Sequence, residues 1–121
     1  MQKRKENKTL KMAGIVRITM FKVPTSESRE AMLKNYETLS KTAVKDGTPY
    51  ITSLSCGTGI EDPRSQGYNL IAKTEFKTLE DMQYYDSECE AHKKFKMGIK
   101  ELGNVKPGEV CCVYYEPKVV A

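Results

Sequence analysis

The chain has 121 residues, 39% of them hydrophobic and 30% charged, which is the composition of one globular domain with a sizeable core. No apolar run approaches the roughly 20 residues that a membrane-spanning helix needs, and no apolar segment of a secretory signal follows the N-terminal charges. The net charge of +4 comes from residues 1–11, which hold five basic residues and one acidic residue. We therefore predict a cytoplasmic protein with no membrane or nucleic-acid partner, in which a basic flexible tail (residues 1–13) precedes a single domain (residues 14–121).

The four cysteines are predicted to be reduced thiols. Cys111 and Cys112 are adjacent in a predicted strand and so point to opposite faces, and the chain has no Cys-x-x-Cys pair. Cys89 and His92 have the spacing of two metal ligands on one helix face, but a third ligand would have to come from Asp86, Glu88 or a distant residue. We predict no metal site and no cofactor.

Hydrophobic periodicity in the first half of the chain predicts strand, helix and strand. Residues 15–23 alternate as a strand with one apolar and one mixed face. Pro24-Thr25-Ser26 ends it and caps a helix, which Asp46-Gly47 stops. A second strand is predicted over residues 50–57, followed by a polar loop to residue 66. The helix has an apolar stripe of Met32, Tyr36, Leu39 and Ala43.

The second half of the chain predicts strand, two helical segments and strand. Residues 68–76 form the third strand, and Thr78 opens a short helix that runs to Tyr85. Ser87 and Glu90 have the spacing of a capping box, which predicts that a new helix begins there and ends at Gly103. The last strand, residues 109–116, is apolar on both faces. The buried stripe of the last helix is predicted to be Ala91, Phe95, Ile99 and Leu102.

The order βαββαβ predicts an α+β, ferredoxin-like fold, with a four-stranded antiparallel sheet and both helices on one face. The last strand is too apolar to leave the opposite face in water, so a second copy of the sheet is predicted to cover it, giving a homodimeric α/β barrel. RNA-binding domains share this order, but the third strand lacks their stacking aromatic residues. The uncovered face is predicted to carry Arg17, Thr19, Phe21, Ser53, Ser55, Ile71, Lys73 and Glu75.

His92 is the only histidine of the chain. Imidazole is the side chain whose ordinary pKa lies nearest to neutrality, and His92 borders the predicted buried stripe. It is a candidate general base, with Tyr85 or Tyr68 as donor to a developing oxyanion. The alternative is a structural histidine. Cys89 as a nucleophile activated by His92 is the weaker hypothesis, because i,i+3 spacing alone does not orient a base.

Arg17 places a charge inside the first strand. A buried guanidinium requires a partner, and Glu75 on the third strand is the predicted one. The alternative is that the head of Arg17 reaches solvent at the mouth of the barrel.

Four short segments in this order resemble the stress-responsive A/B barrel (Dabb) family of dimeric α/β barrels. They are Arg17 to Lys22, Gly67-Tyr68, Thr74 to Phe76 and Cys89 to His92, and the resemblance covers residues 15–117. Members commonly have a first-strand histidine and a His-x-x-His pattern. Here Arg17 and Cys89 stand in place of two of these histidines, and only His92 remains.

The resemblance implies a homodimer with an internal cavity for a small hydrophobic or polyketide-like ligand. The alternative is a cofactor-free polyketide cyclase, since a plant cyclase of similar architecture closes its substrate with the second histidine of the pattern and a nearby tyrosine. A cofactor-independent monooxygenase is a third and weaker hypothesis. The predicted catalytic residues are His92 and, with a one-residue insertion before it, Tyr85. The predicted ligand-binding residues are Arg17, Phe21, Tyr36, Tyr68 and Glu75.

Overall fold

The computed structural model describes residues 14–102 and 105–121, so the predicted tail and the predicted stop at Gly103 lie outside the described residues. Short 3₁₀ helices at Pro63–Ser65 and Pro107–Glu109 precede the third and fourth strands. Among the described residues, no helix is long and apolar enough to cross a membrane. The elements are β1 (Ile15–Phe21), α1 (Ser26–Thr42), β2 (Ile51–Thr58), β3 (Leu70–Phe76), α2 (Leu79–Ser87), α3 (Glu90–Leu102) and β4 (Val110–Tyr115).

The strands form one antiparallel sheet in the order β2-β3-β1-β4, with the helices packed on one face. This confirms the predicted ferredoxin-like fold. Helix α1 begins after Thr25, whose hydroxyl accepts a hydrogen bond from the Ser28 amide at 3.1 Å. Its predicted apolar stripe is confirmed, because the four side chains are each 5% exposed or less. Those side chains are Met32, Tyr36, Leu39 and Ala43.

The prediction of which face of β1 is uncovered was wrong. In the antiparallel register Arg17 lies opposite Thr74 and Phe21 opposite Leu70, so these residues share the face that the helices cover. Thr19 lies with them, and the Phe21 ring packs edge-on against Tyr36. Apolar residues occur on both sides of β1, so alternation alone could not identify the covered side. The other predicted positions do share the uncovered face, which we call the open face: Ser53, Ser55, Ile71, Lys73 and Glu75.

The predicted capping box at Ser87 and Glu90 was also wrong. Helix α2 runs two residues further than predicted, and the Ser87 hydroxyl donates to the Gln83 carbonyl within that helix at 2.8 Å. The amides of Glu88 and Cys89 both donate to the Tyr84 carbonyl, at 2.8 and 2.9 Å. Helices α2 and α3 are therefore joined by a tight two-residue turn, Glu88 and Cys89, which brings the end of α2 close to the start of α3.

Candidate active site

Tyr85 and His92 meet across the turn between α2 and α3. Tyr85 lies in the last turn of α2 and His92 in the first turn of α3. Their rings stack with centroids 3.7 Å apart and planes 11° apart. Both side chains are buried, with 1% and 4% of their surface exposed. The turn thus places a phenol against the only imidazole of the chain.

His92 is held in one tautomer. Its Nδ1 lies 2.7 Å from the Tyr85 carbonyl oxygen, and because a carbonyl oxygen only accepts, Nδ1 carries the proton. Burial lowers the pKa of His92 to about 3; the hydrogen bond to Tyr85 opposes this, and the charges of Lys96 and Arg17 add to it. The ring is therefore neutral at pH 7, with the Nε2 lone pair free to accept a proton.

Arg17 lies beside this pair, beneath the helices. It is 9% exposed, and its guanidinium carbon is 5.1 Å from the centroid of the Tyr85 ring. Its Nη1 donates to the Thr19 hydroxyl and its Nη2 to Asp86 Oδ1, each at 2.8 Å. Asp86 directly follows Tyr85 in the chain, so one turn of α2 supplies both the aromatic surface and the counter-charge.

The predicted partner of Arg17 was wrong. Glu75 lies opposite Val16 in the register and so points to the open face, where its carboxylate is 3.9 Å from the Lys73 ammonium. Since Arg17 points to the helix side, the sheet separates it from Glu75. The Arg17 side chain is only 11% exposed, and its head pairs with the partly exposed Asp86, so the guanidinium is largely shielded from bulk solvent.

Two donors of this cluster are buried without a hydrogen-bond partner. Among the described residues, three buried side-chain polar atoms have this property: Arg17 Nε and Tyr85 Oη here, and Tyr50 Oη elsewhere. Burial raises the pKa of Tyr85 well above its ordinary value, against the opposing charge of Arg17 and the Thr74 side chain, which donates towards Tyr85 Oη. The Tyr85 hydroxyl therefore stays protonated, and its own proton has no acceptor. Unsatisfied buried polar groups are rare in native proteins and commonly mark a functional site.

The cluster approaches solvent along β4. The Thr19 hydroxyl donates to Cys112 Sγ at 3.5 Å, and Cys112 is exposed. Tyr114 lies opposite Arg17 in the register and is 55% exposed. The Asp86 side chain is 40% exposed. Only a narrow rim of side chains therefore separates the buried guanidinium from water.

A cavity of about 350 Å³ lies between α1 and α3. Phe95 lines this cavity, and its ring centroid is 6.0 Å from that of His92 and 4.2 Å from that of Tyr36. Arg17, Tyr36, Tyr85 and His92 do not line the cavity, so Phe95 is the side chain that connects it to the polar cluster.

The structure brings together some of the predicted site residues. Arg17, Tyr85 and His92 form the polar cluster, the Tyr36 phenol lies near Tyr85 and Arg17, and Phe21 packs against Tyr36. Tyr68 and Glu75 lie apart from it. The Tyr68 ring is covered by the Lys22 ammonium at 5.0 Å, and Glu75 is on the open face.

Sequence reasoning missed three members of the cluster. Thr19 shares a face with Arg17 two residues away, and Asp86 follows the candidate catalytic Tyr85, so both could have been found from spacing once the face of β1 was known. Cys112 is adjacent only through the β1–β4 register, which the sequence does not reveal. Cys89 is buried in the core, and among residues 14–102 and 105–121 no group of three metal-ligating side chains converges.

The chain belongs to the Dabb family of stress responsive A/B barrel domains, whose family model matches residues 15–106. It is 36% identical over 102 residues to a fusaristatin A biosynthesis cluster protein of Gibberella zeae, covering 84% of this chain and 72% of that protein.

Solved structures share the fold at low sequence identity. A dimeric ferredoxin-like protein from Jannaschia is 12% identical, with a TM-score of 0.70 over 86% of this chain and 99% of that one. A hydroxynitrile lyase from Passiflora edulis is 11% identical, with a TM-score of 0.69 over 89% and 96% of the two chains.

Proposed function

We propose that this chain is a cofactor-free enzyme that closes a small polyketide-like substrate by an intramolecular aldol reaction. One observation carries the proposal: a neutral His92 with a free Nε2 lies against a phenol whose buried hydroxyl proton has no acceptor. A base and an oxyanion donor at one place are what enolisation requires. The relative in a fusaristatin A biosynthesis cluster supports a role in making a small molecule.

The reaction uses only groups of the cluster. His92 Nε2 takes a proton from a carbon next to a carbonyl, and the C–H electron pair moves towards the carbonyl oxygen to give an enolate. Tyr85 Oη donates to the enolate oxygen. The enolate carbon then attacks a second carbonyl of the same molecule, and protonated His92 returns its proton to the new alkoxide.

The low pKa of His92 belongs to the ligand-free protein. As negative charge develops on the enolate, it stabilises the imidazolium that forms beside it, and this attraction is strong in a site of low dielectric constant. The base therefore gains strength as the reaction proceeds. Without ligand, the same burial keeps the imidazole unprotonated and ready to accept.

We also propose that the protein is a homodimer through the open face. Val113 and Tyr115 of β4 belong to this face, opposite Ile18 and Val16, and both are 51% exposed. A second sheet would remove these apolar side chains from water, and similar solved proteins are dimeric. Light scattering that gave the mass of one chain would contradict this.

The proposed reaction is tested with a linear poly-β-keto thioester of N-acetylcysteamine as probe. The wild-type protein is expected to form a cyclised isomer or its dehydration product, detected by liquid chromatography and mass spectrometry. His92→Asn keeps an amide donor for the Tyr85 carbonyl but removes Nε2, and is expected to lower the rate roughly 10²–10⁴-fold. Lys93→Gln is the control, since Lys93 lies on the exposed side of α3.

Two results would contradict the proposed function. One is a His92→Asn protein as active as the Lys93→Gln protein. The other is wild-type protein that binds the probe, as seen by calorimetry, but forms product no faster than buffer. The second result would identify a binding protein.

A further inference from the structure

The hydrogen bonding of Arg17 is incomplete in a specific way. A guanidinium presents Nε–H and one Nη as a fork that matches the two oxygens of a planar anion. Asp86 meets Nη2 through a single oxygen at 2.8 Å, and Nε, which is buried, has no partner. The fork is therefore half used, although Arg17 is nine-tenths buried.

Asp86 is a weakly retained partner for this cation. Its side chain is 40% exposed, whereas that of Arg17 is 11% exposed, so water competes for the carboxylate but barely for the guanidinium. Asp86 lies in the last turn of α2, next to the Glu88–Cys89 turn. The Asp86 side chain can therefore rotate into solvent without disturbing the core, whereas the Arg17 side chain is held in the interior.

Tyr85 supplies a second donor at the same place. The centroid of its ring is 5.1 Å from the guanidinium carbon, and the proton of its buried hydroxyl has no acceptor. Arg17 Nη1 already donates a hydrogen bond to the hydroxyl of Thr19, which lies on the same strand. Nε–H and Nη2 share one edge of the guanidinium, so the unused Nε donor lies on the edge that Asp86 occupies.

We infer that the substrate of this site is held as a planar two-oxygen anion, a carboxylate or the enolate of a 1,3-dicarbonyl, on the Nε–Nη2 fork of Arg17 with Tyr85 Oη as an additional donor, in place of Asp86. The bound anion is the substrate only if the proposed aldol reaction is correct, so this part of the inference rests on the proposed function. The anion site itself stands on the contacts of Arg17. An anion here also brings negative charge next to His92, which favours protonation of Nε2.

Two pairs of probes distinguish the sources of the anion. Octanoate and octanamide differ only in a carboxylate, and nonane-2,4-dione and nonan-2-one differ only in the second carbonyl that permits a delocalised enolate. Calorimetry at pH 8 is expected to show binding of at least one anionic probe, with its neutral counterpart roughly 10- to 100-fold weaker, the range of one charged hydrogen bond. Which pair discriminates tells which source the site prefers.

Two variants give opposite shifts. Arg17→Gln is expected to weaken the anionic probe 10- to 100-fold, and Asp86→Asn to tighten it roughly tenfold, because the competing carboxylate is gone. A variant that is merely damaged does not bind more tightly, so Asp86→Asn decides the matter even if Arg17→Gln fails to fold. Matched controls are Arg64→Gln and Asp62→Asn, which alter an exposed Arg–Asp pair at 2.9 Å.

No discrimination in either pair of probes, or an Asp86→Asn protein that binds the preferred anion no more tightly than wild type, would overturn the inference. The outcome is separable from that of the proposed reaction, because binding is measured with unreactive probes and repeated in His92→Asn. Anion binding without cyclisation would support the site and contradict the reaction. Cyclisation with no preference for the anionic probes would support the reaction and contradict the anion site.

Discussion

Acid is expected to destabilise this protein through His92. The unfolded chain binds a proton on the imidazole near the ordinary pKa of about 6.5, whereas the folded protein does so only near 3. Between these values the unfolded state holds more protons, so stability falls as the pH falls. From pH 7 to pH 4 this amounts to on the order of 3 kcal/mol.

His92→Asn isolates this effect, because an amide does not titrate. Urea unfolding of the two proteins at pH 7, 5 and 4 is expected to give a stability difference that shifts against the wild type as the pH falls. Carboxylates titrate in both proteins and cancel in the difference. Parallel stability curves would show that His92 has an ordinary pKa in the folded state.

Removal of the Tyr85 hydroxyl is expected to separate activity from stability. Tyr85→Phe takes away the donor to the enolate oxygen and is expected to slow the proposed reaction roughly 10²–10³-fold. Because this hydroxyl has no short hydrogen bond and only a weaker interaction with the Thr74 side chain, its loss removes little stabilisation. The free energy of unfolding is therefore expected to remain within about 0.5 kcal/mol of wild type or to rise.

Tyr84→Phe is the matched control for this experiment. Tyr84 is the preceding residue of α2, and its ring packs edge-on against Tyr50, away from His92. The Tyr84→Phe substitution is expected to leave the rate of the proposed reaction unchanged. If Tyr85→Phe were as active as Tyr84→Phe, the Tyr85 ring would serve only as a stacking surface for His92. If Tyr85→Phe lowered the free energy of unfolding by several kcal/mol, the hydroxyl would be structural.

The sequence predicted the architecture where apolar residues fall on one side of an element. Helix α1 is such a case, since Met32 and Leu39 mark its buried side and Glu27 and Lys34 are exposed. Strand β1 is the opposite case. Arg17 and Thr19 lie on its covered face, so the usual rule that polar residues point to water gave the wrong side. Local rules commonly fail where a site has been built into the interior.

The site was partly predictable. The family pattern pointed to His92, and the structure places Tyr85 against it although the segment between them departs from that pattern. The stacking of Tyr85 on His92 depends on the turn at Glu88 and Cys89. The spacing of Ser87 and Glu90 predicted a capping box there instead of this turn. The Asp86 partner of Arg17 depends in turn on which face of β1 is covered, a tertiary property that no local pattern contains.

The central claim, that His92 holds a free lone pair on Nε2 beside the Tyr85 phenol, is tested most directly by nuclear magnetic resonance. His92 is the only histidine, so a long-range ¹H–¹⁵N spectrum of the uniformly labelled protein contains one native imidazole and needs no assignment. We predict the neutral Nδ1–H tautomer, unchanged from pH 8 to pH 5. An Nε2–H tautomer, or protonation of the ring near pH 6.5, would contradict the account.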